Sequence, residues 1–250
     1  MIDFASLGFR LVLRRLPALL PTLAITGGLV LAAVGCSGDE SPRAASPSDR
    51  KDVATTAAPK ATEETRPPTP EDAVQAVGQV MLTADDVGSD AVEQDSDDSL
   101  DAVTNDICAQ QWPSNDERTA RRQSFYWADV DVAETVVSSE AVAYQEGQAR
   151  AALQEIADAV AECGGWKHKQ GELTGVAETE PPDGALDDSF AWGATDERSS
   201  QTYSYLAVYQ VSGDLLSGLY VWAPSTDEAL EVARDLVPKA AQRLDDSADG

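Results

Sequence analysis

Few residues of this 250-residue chain stand in a pattern that could do chemistry, and the clearest of them is one cysteine. Cys36 follows the small residues Ala32, Ala33 and Gly35, and it ends a run of 20 residues, 16–35, that carry no charge. A thiol at such a boundary is suited to acylation, and two acyl chains are enough to hold a protein firmly at a membrane. We therefore interpret Cys36 as the lipid-modified first residue of an exported protein.

The segment before Cys36 has the composition of a targeting signal. Its basic start ends in Arg14-Arg15, an apolar stretch follows, and Ala33-Val34-Gly35-Cys36 resembles the lipobox of bacterial lipoprotein signal sequences, with Ala33 where leucine is usual. The resemblance implies that residues 1–35 are cleaved off and that the Cys36 sulfur receives a diacylglyceryl group bearing fatty acyl chains such as palmitate. An uncleaved anchor remains an alternative, since 20 helical residues span about 30 Å, and so does ordinary secretion.

The other two cysteines, Cys108 and Cys163, form an even pair once Cys36 is assigned to lipid. An exported protein meets an oxidising medium, so we expect these two thiols to form a disulfide. Cys163 also lies on the apolar stripe of a predicted helix, which favours a structural role over a reactive one.

The remaining candidate groups do not form a catalytic pattern. His168 is the only histidine, lies between Lys167 and Lys169, and is expected to be exposed. No zinc motif, nucleophile elbow or phosphate-binding glycine loop is present in the sequence, so we predict no catalytic residue, no cofactor-binding residue and no metal ligand. Carboxylates are too numerous for any pair to indicate a glycosidase.

Two charged clusters nevertheless leave alternatives open. The acidic stretch with Asp95, Asp97, Asp98 and Asp101 is either a solvated loop or an irregular calcium site; it lacks the EF-hand glycine and glutamate. Three arginines then stand close together, and they either balance local acidic charge or bind an anion. They are Arg118, Arg121 and Arg122.

Charge excludes one class of partner. Residues 1–35 hold three arginines and one aspartate, so the net charge of −26 becomes −28 for the rest of the chain. Nucleic acids and anionic lipid head groups are held by basic patches, which such a chain lacks. We expect contact with the membrane only through the lipid on Cys36.

The elements that would position these groups follow from the hydrophobic pattern. Residues 36–69, rich in proline, serine, threonine and alanine, are predicted to be a disordered tether, and residues 70–246 a single domain. Within it, the pattern predicts helices over 70–82, from Ser138 or Ser139 to Cys163, and after Ser225; a loop over 83–106; and a hairpin of 203–211 with 215–222. This order predicts an α+β fold, with one antiparallel sheet and the helices packed on one face.

The domain resembles the sensor-like domain of actinobacterial envelope lipoproteins, which is also the extracellular part of some receptor Ser/Thr kinases. The residues that carry the resemblance are Met81 to Val87, Cys108, the Tyr144, Gly147 and Ala149 motif of a helix ending at Cys163, and the Gly213-Asp214 hairpin. In the kinase relatives two disulfides brace a cleft proposed to bind a ligand, whereas this chain offers only the Cys108–Cys163 pair. The resemblance implies a sensing role and assigns no binding residue.

We therefore expect a non-enzymatic ligand-binding or sensing lipoprotein on the extracytoplasmic face of the cell membrane. Its partner would be a small molecule, an envelope component or an envelope protein. Trp112, Trp192 and Trp222 either line a cleft or pack in the core. An envelope hydrolase that uses two carboxylates and a structural subunit that docks onto an envelope complex are the alternatives.

Overall fold

The computed structural model describes residues 69–102, 107–128 and 135–248. The predicted targeting segment, Cys36 and nearly all of the predicted tether lie outside the described residues. No helix in the described ranges is both long enough and apolar enough to cross a membrane.

Four helices and eight strands make up the described part of the chain. The helices are α1 (Pro70–Val80), α2 (Ala84–Val87), α3 (Gln148–Glu162) and α4 (Thr226–Ala248). The strands are β1 (Val92–Asp97), β2 (Arg118–Ala128), β3 (Thr135–Tyr144), β4 (Gly165–His168), β5 (Gly171–Thr179), β6 (Ser189–Arg198), β7 (Thr202–Ser212) and β8 (Leu215–Ala223). Two short 3₁₀ turns, Ile107–Ala109 and Pro113–Glu117, precede β2.

All eight strands join one antiparallel sheet in the order β1-β2-β3-β8-β7-β6-β5-β4. The predicted α+β fold with a single antiparallel sheet is confirmed. The predicted hairpin is β7 and β8, which lie at the centre of the sheet. Their central place explains why both faces of β7 are apolar, since each face is covered by packed helices.

The prediction that the helices pack on one face of the sheet is wrong, because they cover both. On β7, Tyr205, Ala207 and Tyr209 pack with α3, whereas Leu206 and Val208 on the opposite face pack with α4. Helix α1 lies on the α4 side, against Ala141 and other small residues of β2 and β3. Helix periodicity identifies an apolar stripe, but it does not say which face of a two-sided sheet the stripe will meet.

Two element boundaries also differ from the sequence pattern. The segment expected to be a loop over 83–106 contains the short helix α2, capped by Thr83, and the edge strand β1. Ser138 and Ser139 lie inside β3 and do not cap a helix; α3 begins after Gly147, whose φ of +77° suits glycine. An edge strand as polar as β1 has no apolar alternation to reveal it.

Candidate functional site

A buried polar network crosses three neighbouring strands on the α3 side of the sheet. Glu140 on β3 is fully buried, and its Oε1 accepts a hydrogen bond from Arg121 Nε on β2 at 2.6 Å. Its second oxygen, Oε2, accepts a hydrogen bond from the Tyr220 hydroxyl on β8 at 2.5 Å. Both carboxylate oxygens are therefore bonded, as the burial of a charge requires.

Burial dominates the electrostatics of this network. It raises the pKa of Glu140, with Arg121 and Tyr220 opposing the rise, and it raises the pKa of Tyr220 well above the ordinary value. Burial alone would lower the pKa of Arg121, but the Glu140 carboxylate reverses this and the pKa is raised. An exposed ion pair would instead lower the pKa of its acid; here desolvation overrides the attraction at the carboxylate. Tyr220 therefore stays protonated as a hydrogen-bond donor, and Arg121 stays charged.

The three clustered arginines of the sequence bind the segment that follows β1. Arg121 Nη1 donates to the carbonyl oxygens of Asp97 and Ser99, and Arg118 Nη1 donates to that of Ala102. Arg122 makes two parallel hydrogen bonds to Asp98, at 2.9 and 2.8 Å. The arginines therefore balance local charge and organise residues 97–102, which favours that alternative over an open anion site.

The ion pairs with arginine also argue against a calcium site in the acidic stretch. Asp97 and Asp98 already face guanidinium groups, so their carboxylates are not arranged around a shared cation site. Within the described ranges, no group of three or more histidine, cysteine, aspartate or glutamate side chains is placed to hold a metal ion. Asp106, which stands at the place of the EF-hand glutamate when the loop is counted from Asp95, lies outside those ranges.

A row of aromatic side chains runs across the same face of the sheet. The row consists of Trp166, Trp192, Tyr205, Trp222, Tyr220 and Tyr209. Successive ring centroids lie 4.9–6.5 Å apart, the range in which tilted and edge-to-face aromatic pairs are favourable. Trp192, the second ring of the row, is fully buried, whereas Trp222 and Trp166 are half-buried.

Arg198 lies over Trp222 of the aromatic row and over Tyr203 beside it. Its guanidinium lies 5.1 Å from the ring centre of Tyr203 and 5.8 Å from that of Trp222, and its side chain is 27% exposed. Beneath it Asp196 is almost completely buried and accepts from Arg198 Nε at 2.9 Å. A guanidinium held by two rings and a carboxylate loses little further entropy when a ligand binds it.

His168 belongs to this cluster and is not the exposed residue that its lysine neighbours suggested. Its Nε2 lies 3.0 Å from Asp196 Oδ1, and its side chain is only 20% exposed. In the register of the three strands, Gly171 on β5 lies between His168 on β4 and Arg198 on β6. Because glycine has no side chain, both the imidazole and the guanidinium can reach Asp196. We name Arg198, Asp196, His168, Tyr203 and Trp222 the Arg198 cluster.

The described carboxylates lack the features of an acid–base pair. Glu140 and Asp196 are the buried ones, and each has both oxygens engaged by partners. Such bonding holds each carboxylate in a fixed position within the fold. The Arg198 cluster therefore combines aromatic area, a guanidinium and an imidazole around one buried carboxylate.

The residues predicted from the sequence have three outcomes. Cys36 lies outside the described residues, so its acylation stays a prediction. Cys108 and Cys163 are joined by a disulfide whose Cα atoms are 6.1 Å apart. Of the three tryptophans, Trp112 and Trp192 are core residues packed beside α3, while Trp222 belongs to the Arg198 cluster.

Sequence reasoning missed Glu140 and Asp196. Glu140 is the single charged residue in the strand sequence TVVSSEAVAY, and a charge inside an otherwise apolar strand was the available signal. Asp196 had no comparable signal, because Glu197 and Arg198 follow it directly. Its partners come from distant strands that only the fold brings together.

The chain is similar in structure to several solved proteins, which include the following two. The crystal structure of the extracellular domain of PknH from Mycobacterium tuberculosis is 19% identical, with a TM-score of 0.49, covering 68% of this chain and 97% of that one. The X-ray structure of an uncharacterized protein (Rv0999 ortholog) from Mycobacterium smegmatis is 11% identical, with a TM-score of 0.36, covering 71% and 100%. No protein-family model and no curated protein matches the chain. At these scores the likenesses assign no ligand or activity to this chain.

Proposed function

We propose that this chain is a lipid-anchored, extracytoplasmic domain that binds a ligand or an envelope partner without catalysing a reaction. The lipobox-like sequence at Cys36 supports the anchor, and the disulfide between Cys108 and Cys163 supports an oxidising compartment. The sequence resemblance to sensor-like envelope domains points the same way. The domain would then stand away from the membrane on its proline-rich tether.

The observation that carries the binding proposal is the Arg198 cluster. A half-exposed guanidinium, a half-buried indole and a phenol ring lie together at one end of an otherwise packed face. Binding sites combine apolar and aromatic contact area with a few fixed polar groups, and this cluster has both. Its position on rigid strands preorganises it, so little free energy would be spent on ordering it during binding.

The binding proposal is tested with a ligand panel and two matched tryptophan variants. Soluble peptidoglycan fragments from the organism that makes the protein are mixed with the purified full-length chain. Saturation-transfer NMR then reports which fragments contact the protein. We expect Trp222→Leu to weaken binding about tenfold, as loss of an exposed aromatic contact does. Trp192→Phe, which changes a fully buried ring of the same row, should leave binding unchanged. Equal losses in both variants, or none in either, would count against the Arg198 cluster.

The anchor is tested separately through Cys36. The wild-type chain should extract with detergent and carry the mass of residues 36–250 plus acyl chains. Cys36→Ser should move the protein to the soluble fraction if a lipid holds it at the membrane. A Cys36→Ser variant that stays in the membrane fraction with the wild-type polypeptide mass would indicate an uncleaved apolar segment instead.

A further inference from the structure

The sheet ends in two edges that no other described strand covers. Strand β1 pairs only with β2, and β4 pairs only with β5. The 3₁₀ turn Ile107–Ala109 contacts the start of β4 at Gly165, so within the described ranges the open part of that edge lies at Lys167 and His168. Five of the six residues of β1 are exposed. Open edges of this kind can accept a further strand by backbone hydrogen bonding.

The two edges carry opposite charge. Glu93 and Asp95 lie on the outer strand β1, where no described basic side chain comes within ion-pair distance of either. Together with Gln94 and Ser96 they line a shallow concavity of about 380 Å³. The β1 edge therefore offers acidic side chains and room beside them.

The opposite edge is basic, with Lys167 on β4 and Lys169 in the turn that follows it. Lys167 and Lys169 are both exposed, and neither has a described ion-pair partner, whereas Lys239 pairs with Asp235. Glu172 stands opposite Lys167 on β5 but makes no ion pair with it in the described structure. Two unpaired lysines at one edge are notable in a chain with 44 acidic and 18 basic residues.

We propose that the β1 edge of one copy pairs with the β4 edge of a second copy, extending the sheet from molecule to molecule. Charge selects this mode, because two β1 edges or two β4 edges would repel each other. Side-chain direction also allows it for one pair. Glu93 pairs with Tyr126, which packs with α4, and Lys167 alternates with Trp166 of the α3 face, so Glu93 and Lys167 both lie on the α4 face. Asp95, after the β1 bulge, lies on the opposite face. A contact between unlike edges does not close, so it builds short chains of domains.

We expect the contact between the β1 and β4 edges of two copies to be weak. Strand β4 has four residues, and a bulge between Glu93 and Asp95 interrupts β1, so few backbone hydrogen bonds can form. Exposed ion pairs add little to each contact and are screened by salt. Confinement of many copies to one surface would raise their effective concentration and favour the contact.

Carbodiimide cross-linking of the purified full-length chain tests the pairing directly. This reagent joins an amine to a carboxylate that touches it, and mixing ¹⁵N-labelled with unlabelled protein identifies bonds between copies by mass spectrometry. We expect mixed-isotope peptides that link Lys167 or Lys169 to Glu93 or Asp95. Their yield should fall as the ionic strength rises.

Charge-reversal variants distinguish the two edges. Reversing both lysines (Lys167→Glu with Lys169→Glu) or both acids (Glu93→Lys with Asp95→Lys) should lower the cross-link yield roughly tenfold, since favourable pairs become repulsive. Mixing the two variants restores opposite charges across the contact and should restore the yield. Glu231→Lys, an exposed reversal on α4, serves as the control and should leave the yield unchanged.

Three results would overturn the proposal. Cross-links between copies that avoid these four residues would place any self-association elsewhere. Reversed variants that cross-link as well as the wild type would show that charge does not select the edges. Wild-type protein without cross-links between copies, even at low salt, would show that the edges do not pair. Each of these results is independent of whether Cys36 is acylated or the Arg198 cluster binds a ligand.

Discussion

At the scale of single residues, the adjacent arginines Arg121 and Arg122 on β2 differ in burial and in the carboxylate that each binds. The Arg121 side chain is 1% exposed and bonds the buried Glu140, whereas the Arg122 side chain is 41% exposed and bonds Asp98 at the surface. Alternation along a strand puts the two guanidinium groups on opposite faces of the sheet. Their energetic contributions should differ accordingly.

We predict that Arg121→Ala lowers the free energy of unfolding by about 3–5 kcal/mol, because it leaves the Glu140 carboxylate buried without its cation. Arg122→Ala should cost less than about 1 kcal/mol, as exposed ion pairs do. Urea denaturation of both variants measures the difference. Similar losses in the two variants would mean that water reaches Glu140 and replaces the missing guanidinium.

At the scale of elements, the short helix α2 depends on one carboxylate. Asp86 accepts hydrogen bonds from the backbone and side chain of Thr83 and pairs with Arg243 of α4 at 2.7 Å. Partial burial raises the pKa of Asp86, but the bonds from Thr83 and Arg243 outweigh this, and the pKa lies below its ordinary value of 3.8. The ionised form is therefore the one that the fold stabilises.

The lowered pKa of Asp86 determines whether the free energy of unfolding rises or falls with pH. Asp86 contributes stability above pH 3.8, and this contribution disappears as the pH falls below 3.8 and through the folded-state pKa. We predict that Asp86→Asn costs about 1 kcal/mol at neutral pH, typical of a lost cap, and that the difference from the wild type narrows in acid. Chemical denaturation at several pH values measures it.

The neighbouring residue provides the control for this pH prediction. Asp85 is exposed and lies in the same turn of α2, so Asp85→Asn makes the same chemical change without removing the bonds to Thr83 and Arg243. Its stability should follow the wild type across the pH range. If Asp85→Asn and Asp86→Asn lose stability in parallel, the cause is the total charge of the helix and not the cap.

A turn and a helix meet at Gly184. Its φ is +86°, and a Cβ atom there would lie 2.8 Å from Cγ of Pro238, a residue inside α4. We predict that Gly184→Ala lowers the free energy of unfolding by about 1–3 kcal/mol, from backbone strain and overpacking together. Gly175 has a φ of +65° but open space around it, so Gly175→Ala should show only the strain. Thermal melts of both variants separate the two effects.

Elements that have a recognisable local sequence pattern of their own were predicted from the sequence. The β7–β8 hairpin has apolar strands around a Gly213-Asp214 turn, and the α4 cap at Ser225 precedes an apolar stripe. Strand β1 and the bonds among Arg198, Asp196 and His168 had no such pattern. They depend on which strands become neighbours, and a strand order that places β8 between β3 and β7 is set by tertiary packing.

At the scale of the whole molecule, the disulfide links the 3₁₀ turn before β2 to the end of α3, over a sequence separation of 55 residues. We predict that Cys108→Ala with Cys163→Ala lowers the free energy of unfolding by about 4 kcal/mol, the loop-closure value for such a separation. Cys36→Ser, which removes the third thiol, should leave it unchanged. Denaturation curves of the wild type with and without reductant give the same comparison without mutation.

The two faces of the sheet also differ in what they leave accessible. The chain enters the domain at Thr69, and the first helix packs with α4 on one face, whereas Arg198 and Trp222 lie on the other. A biosensor chip or fluorophore coupled to the exposed side of α1 would thus be separated from the Arg198 cluster by the thickness of the sheet. Immobilisation through α1 should therefore keep the cluster open to analytes, whereas capture through α3 would crowd it.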